Sequence, residues 1–204
     1  MYTLYARAGS GSIAPHIVLE ELGAPHRIEW ISRDEATRPN YLKLNPTGKI
    51  PTLRLPDGRL VFESAAIVIH LTQTHPSAAL APPVGTSEHA LFLQWMVFLS
   101  ANVYETLLRF YYPQRYSAGG EADAPKVKSQ AATDVARHMG VVDAALSPFL
   151  LGRQAGAADI YLYMLSTWCP PSSGDLHRRF PRLKTACDAV AGRPAVAKVM
   201  AMNA

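Results

Sequence analysis

Polar and apolar positions follow two regimes along the chain. Up to about His75, short β-favouring runs alternate with helical spacing; beyond a proline-rich break at 76–85 the spacing is helical to the end. Tyr2–Ala6 predicts a strand, and Ala8–Ser12 a loop. Ser12 is placed to cap a helix carrying Ile13, Ile17, Val18 and Leu22, with Pro15 in its first turn and Gly23 as its stop. His26–Ile31 predicts a second strand, and Glu35–Leu44 a short, weakly patterned helix. Thr52–Leu55 and Arg59–Phe62 flank Pro56-Asp57-Gly58, a hairpin turn sequence. Ser64 then opens a helix with Ala65, Ile67, Val68 and Leu71, running to about His75. The order strand–helix–strand–helix–strand–strand–helix predicts a small α/β layer structure.

Prolines in 77–85 resist regular structure and mark a linker, dividing the chain into 1–76 and an all-helical 86–204. Ser87 starts a long helix predicted to bury Leu91, Trp95, Phe98, Leu99 and Val103. Lys126–Leu150 repeats the pattern through Val127, Ala131, Val135, Val142, Leu146 and Leu150. Gly156–Trp168 is apolar all round, which predicts a central helix, closed by Pro170-Pro171. Asp175–Val190 and Pro194–Met202 read as two short helices about Arg193-Pro194.

Composition narrows the function. Apolar residues make up 49% of the 204, enough for a substantial core. No unbroken apolar run reaches the roughly 18 residues of a membrane span, and no leader pattern opens the chain, so no membrane role and a cytoplasmic location are expected. The only two cysteines, Cys169 and Cys187, have no CxxC or ligand spacing and are expected as free thiols. A net charge of +4 is mild. Arg178, Arg179, Arg182, Lys184, Arg193 and Lys198 cluster without interleaved aromatics, which predicts a solvated face and no nucleic-acid partner. His16, His26, His70, His75, His89, His138 and His177 lack HxxxH spacing, so no metal is expected.

Candidate chemistry gathers in Asn45–Ser64 and the loop at Ser10–Ser12. A cis Ile50–Pro51 bond would turn Ile50's backbone outward to pair with an extended ligand; the same residues also read as a trans proline opening an edge strand. Ser64 at a helix start, with its N–H groups and Glu63 beside it, suits a ligand's carboxylate and ammonium; it also reads as a plain N-cap. A hydroxyl at Ser10 or Ser12 can stabilise a thiolate at a helix N-terminus, or simply close a Ser-Gly turn. Tyr5 offers a phenol near the same loop or a packed strand residue. Tyr104, Tyr111, Tyr112 and Arg115 line a second pocket or a core.

Taken together, Asn45-Pro46-Thr47-Gly48-Lys49-Ile50-Pro51-Thr52-Leu53, Glu63-Ser64-Ala65-Ala66-Ile67 with His70-Leu71, and Ala157-Ala158-Asp159-Ile160 resemble the cytosolic glutathione transferase family over essentially the whole chain. The resemblance implies a thioredoxin-like domain followed by an all-helical domain, in a homodimer that conjugates glutathione to a hydrophobic electrophile in detoxification. It makes Pro51 the cis proline and gives Ile50, Pro51, Glu63, Ser64 and Lys49 to glutathione. It gives Asp159 a helix-capping role, although Gly156 stands where the family usually has Ser or Thr. Ser12-Ile13-Ala14-Pro15-His16 is similar to the bacterial beta-class pattern, but Gly11 replaces that class's cysteine, which excludes cysteine chemistry there. Ser12, then Ser10, then Tyr5 are the catalytic candidates. Tyr104, Tyr111, Arg115 and Trp168 are the candidates for the electrophile pocket. A non-catalytic carrier of glutathione or hydrophobic ligands, and a glutathione-dependent reductase or isomerase, are the alternatives.

Overall fold

The computed structural model describes residues 1–170 and 173–203. Two compact units emerge, one of 1–86 with 191–204 and one of 87–190.

The first unit is built on a four-stranded sheet of order β2-β1-β3-β4, with β1 Tyr2–Ala6, β2 His26–Trp30, β3 Thr52–Arg54 and β4 Leu60–Phe62. β1 and β2 run parallel because helix α1, Ile13–Glu21, supplies the crossover; β3 is antiparallel to both β1 and β4. The hairpin forms where Asp57-Gly58 predicts it: Gly58 sits at φ +92°, and the Asp57 carboxylate accepts the Arg59 N–H at 3.0 Å. Helix α2 is a single turn, Pro39–Leu42, after a 3₁₀ turn at Glu35–Thr37; α3 spans Ser64–Thr74. Leu4, Ile17, Val18, Leu53, Ile67, Val68 and Leu71 are buried.

The C-terminal helix α10, Pro194–Met202, belongs to this unit, whereas the sequence division put all of 86–204 together. Its attachment is ionic as well as apolar. Arg193 forms a bidentate pair with Glu21 at 2.6 Å for both contacts, and Lys198 reaches Glu20 at 2.8 Å. Linear reading registers the basic residues but not the acids that face them across some 170 positions.

The second unit is helical, with α4 Ser87–Phe98, α5 Glu105–Tyr111, α6 Ala124–Ala145, α7 Ala157–Ser166, α8 Ser173–Arg179 and α9 Pro181–Ala191. α4 and α5 are joined by a π-helical stretch, Leu99–Tyr104. The buried stripe is Phe92, Met96, Leu99, Val103 and Leu107; it keeps the predicted Leu99 and Val103 but replaces Leu91 and Trp95 by their neighbours, and Leu91 is exposed. The continuous run Ser87–Tyr111 is long and apolar enough, by length and composition alone, to cross a membrane. Its few polar residues are dispersed, so an average passes where no unbroken run does. α7 is buried on nearly every side, as its composition predicts. Pro181 breaks the expected helix 175–190 into α8 and α9, since its ring denies the backbone a donor. Of the Pro170-Pro171 stop, Pro171 lies outside the described residues. Arg178 pairs with Asp175, and Lys184 with Asp188. Cys169 and Cys187 are free and buried; burial pushes their thiols up to about 12 and about 11, which leaves them inert.

Candidate functional site

Strand register brings three candidate segments to one end of the sheet. Thr52 pairs with Tyr5 on one side and with Phe62 on the other. One step beyond this row, Ile50-Pro51, which leads into β3, lies between the end of β1, which leads into the Arg7–Ser12 loop, and the end of β4, which leads into Glu63-Ser64. Segments separated by up to about fifty positions in the chain become neighbours through antiparallel pairing.

The Ile50–Pro51 bond is cis. The preceding loop is held by residues whose role linear reading missed. The Asn45 side chain, 1% exposed, donates to the Lys49 carbonyl at 2.8 Å and accepts from the Thr47 N–H at 3.1 Å and hydroxyl at 2.7 Å. The Tyr41 hydroxyl donates to the same Lys49 carbonyl at 2.8 Å and lies 2.9 Å from the Thr52 hydroxyl. Gly48 sits at φ +65°, and a Cβ there would meet the Ala36 carbonyl oxygen at 3.3 Å. Ile50 packs with Tyr5, Ala36 and Tyr41, while Lys49 is exposed. The signal was present in the sequence: an Asn-Pro-Thr-Gly turn is an Asx motif. Asn45→Ala should therefore loosen this loop. It should destabilise the chain by about 2 kcal/mol and weaken binding at Ile50-Pro51, read by thermal melting and by ligand titration.

Glu63 adopts φ +70°, an uncommon conformation for a residue with a side chain and one that clusters at ligand sites. It is exposed and stands at the N-terminus of α3, where the buried Ser64 begins the helix and Ile67 returns its N–H to the Glu63 carbonyl at 3.0 Å. The helix dipole puts positive potential at this point.

The serine loop differs from expectation. Ser12 makes no side-chain cap on α1, because it is already in helical conformation and its hydroxyl turns back to the loop. That hydroxyl is 3.1 Å from the Arg7 carbonyl and 2.9 Å from Ser10 Oγ, and it accepts the Arg7 N–H at 3.2 Å. Ser10 Oγ donates to the Arg7 carbonyl at 2.7 Å and accepts the Ser12 N–H at 3.3 Å. Ser12 is 1% exposed and Ser10 9%. The hydroxyl of Tyr5, the third candidate, accepts from Arg54 Nη2 at 3.1 Å and Nε at 3.3 Å.

In the helical unit, three of the four pocket candidates come together. Tyr104 packs edge-on against Trp168 at 5.4 Å between ring centroids, and the Tyr111 hydroxyl donates to the Trp168 carbonyl at 2.6 Å. Arg115 stacks instead on Tyr112, 4.4 Å from its ring centre.

Comparison with known proteins agrees with this architecture. Residues 12–74 match the profile described as "Glutathione S-transferase, N-terminal domain". The uncharacterized GST-like protein YncG of Escherichia coli K12 is 29% identical over 209 aligned positions, covering 100% of this chain and 98% of the relative. A glutathione transferase homologue from Sulfitobacter, solved with bound glutathione, superposes with a TM-score of 0.90 at 25% identity, covering 99% of this chain and 98% of that one. A sphingomonad glutathione S-transferase complexed with glutathione gives 0.84 at 27% identity, with 98% of both chains covered. In sequence and fold the chain is similar to bacterial glutathione transferases, and it has a thioredoxin-like N-terminal domain and a helical C-terminal domain.

Proposed function

We propose that this protein is a glutathione transferase: it binds reduced glutathione at the converging end of the sheet, stabilises the thiolate and conjugates it to a hydrophobic electrophile. The observation that carries the reading is the placement by strand register of Ile50-Pro51 beside Glu63-Ser64, with Glu63 at positive φ. Ile50 offers backbone groups to the cysteinyl part of the tripeptide. Glu63 and the α3 N-terminus suit the ammonium and carboxylate of its γ-glutamyl end, and Lys49 a second carboxylate. Relatives solved with glutathione bound support the same ligand.

For the chemistry, Ser10 turns its proton from the Arg7 carbonyl to the sulfur and lowers the thiol pKa, aided by the α1 dipole. The thiolate attacks the electrophile directly, without a covalent enzyme intermediate, and proximity supplies much of the remaining barrier reduction. Ser12 holds the loop. Within the helical unit, Tyr104, Tyr111 and Trp168 form an aromatic cluster suited to a hydrophobic ligand. A homodimer is part of the same reading.

Titration calorimetry with reduced glutathione should give one site per chain with a Kd below about 1 mM. With an aryl halide, Ser10→Ala should lower kcat/KM by roughly 10-fold to 100-fold. Ser12→Ala should instead cost about 1–2 kcal/mol of stability, because it strips the Arg7 N–H of its acceptor. Absence of binding at millimolar glutathione would sink the proposal, and full rates in both serine variants would sink the catalytic assignment. One observation favours a second reading, a non-catalytic carrier: both serine protons are already bonded within the loop. Tight glutathione binding with no turnover across a panel of electrophiles would select it.

A further inference from the structure

A second cluster lies along α1, away from the serine loop. His16 and Glu20 are four residues apart on one helix face, and His26 opens β2. Glu20 is about 12 Å further along the helix than Ser12, and His26 pairs with Tyr2, at the strand end remote from Ile50-Pro51. One ligand-type atom from each of the three residues falls within 4.8 Å of the others.

We propose that His16, Glu20 and His26 form a binding site for a zinc-like divalent cation, with two nitrogen ligands and one carboxylate oxygen. Four features support it. His16 is 1% exposed, yet neither ring nitrogen has a hydrogen-bond partner; an unpartnered buried imidazole is costly, and a metal bond would satisfy it. His26 Nδ1 lies 2.8 Å from the Ala24 carbonyl, which only accepts, so Nδ1 carries the hydrogen and Nε2 is the atom free to ligate. A backbone carbonyl behind the ring in this way is the usual support of a metal-binding histidine. His26 Nε2 stands 3.5 Å from Glu20 Oε1; bonds of about 2.1 Å in tetrahedral geometry set ligand atoms about 3.4 Å apart. Finally, Lys198 binds Glu20 Oε2 at 2.8 Å, which orients the carboxylate and leaves Oε1 to the ion.

Two imidazoles and a carboxylate suit zinc better than calcium or magnesium, which prefer all-oxygen shells. Water would complete the coordination. The ion would clip α1 to β2, and through Lys198 to α10. Linear reading passed over the site because the pattern is His-x₃-Glu with its third ligand on the next element, not HxxxH.

The test uses the full chain stripped with a chelator. Zinc is titrated against a chromophoric competitor, and cobalt serves as a spectroscopic probe. The expected result is one ion per chain with a Kd at or below about 10 µM and tetrahedral cobalt absorption. A rise in melting temperature of roughly 5 °C should appear at a hundredfold excess over Kd. His26→Gln and Glu20→Gln, both at partly exposed positions, should each weaken binding at least about tenfold, while His70→Gln should not. No binding at millimolar zinc, or binding indifferent to both substitutions, would overturn the proposal and leave only the His26–Glu20 contact.

Discussion

Asp159→Ala should lower the stability of the chain by about 3 kcal/mol or more, the largest loss expected from a single polar side chain here. Asp159 is 2% exposed and begins the central helix α7. Its carboxylate accepts the Gly156 N–H at 2.9 Å and the Leu150 N–H at 3.0 Å. One bond caps the helix, and the other ties down the segment that precedes it. Alanine would leave two backbone donors without their acceptor, and each charge-assisted bond contributes about 1.5–3 kcal/mol. Burial raises the carboxyl above its ordinary pKa, against the opposing pull of the Gly156 and Leu150 N–H groups. For a chain of this size the melting temperature should fall by about 6–12 °C. Asp159→Asn, which keeps one acceptor oxygen, should lose less. A loss under about 1 kcal/mol for the alanine variant would refute this capping role. Because Gly156 has no side chain, the reciprocal half of a capping box is missing, and Asp159 carries the start of α7 by itself.

The second large effect is acid sensitivity. Burial, then the neighbouring His26, lower the pKa of His16 to about 4, with Glu20 opposing and Lys198 adding to the fall. A histidine exposed in the unfolded chain titrates near 6.5. Between these values the unfolded state binds the proton and the folded state does not. Stability from this group is therefore fully present above about 6.5 and is lost as pH falls toward 4. At pH 4.5 the loss should reach about 2 kcal/mol relative to pH 7, measured by urea unfolding with a chelator present. The contribution is isolated as the difference between wild type and His16→Leu, whose unfolding should lack this component. Parallel pH profiles for the two proteins would count against it.

How much of this was legible beforehand depended on whether the cause was local. The hairpin at Asp57-Gly58 and the stop at Gly23 are set by turn chemistry, and both elements formed where the residues demand. The buried α7 followed from a segment apolar on every side. Along α4 the buried apolar positions are Phe92 and Met96, not Leu91 and Trp95, because apolar residues stand on both sides of the helix and its local pattern does not choose between them. Ser12 looked like a cap because serine precedes an apolar periodic segment. Its hydroxyl went instead to Arg7, whose carbonyl only the folded loop brings within reach.

By itself the sequence determined the division into a sheet-containing first part and a helical second, and the segments where a ligand could be held. These follow from periodicity, turn residues and the Asn45–Ser64 motif, all of which act over a few positions. Tertiary structure alone decided which of those segments meet. Antiparallel pairing set Ile50-Pro51 between the ends of β1 and β4. It buried Ser12 more deeply than Ser10, and it returned α10 to the first unit through Arg193 and Glu21. It also assembled His16, Glu20 and His26 from two elements. The reason is that each depends on which segments the fold packs together, and the spacing of residues within a segment carries no information about that.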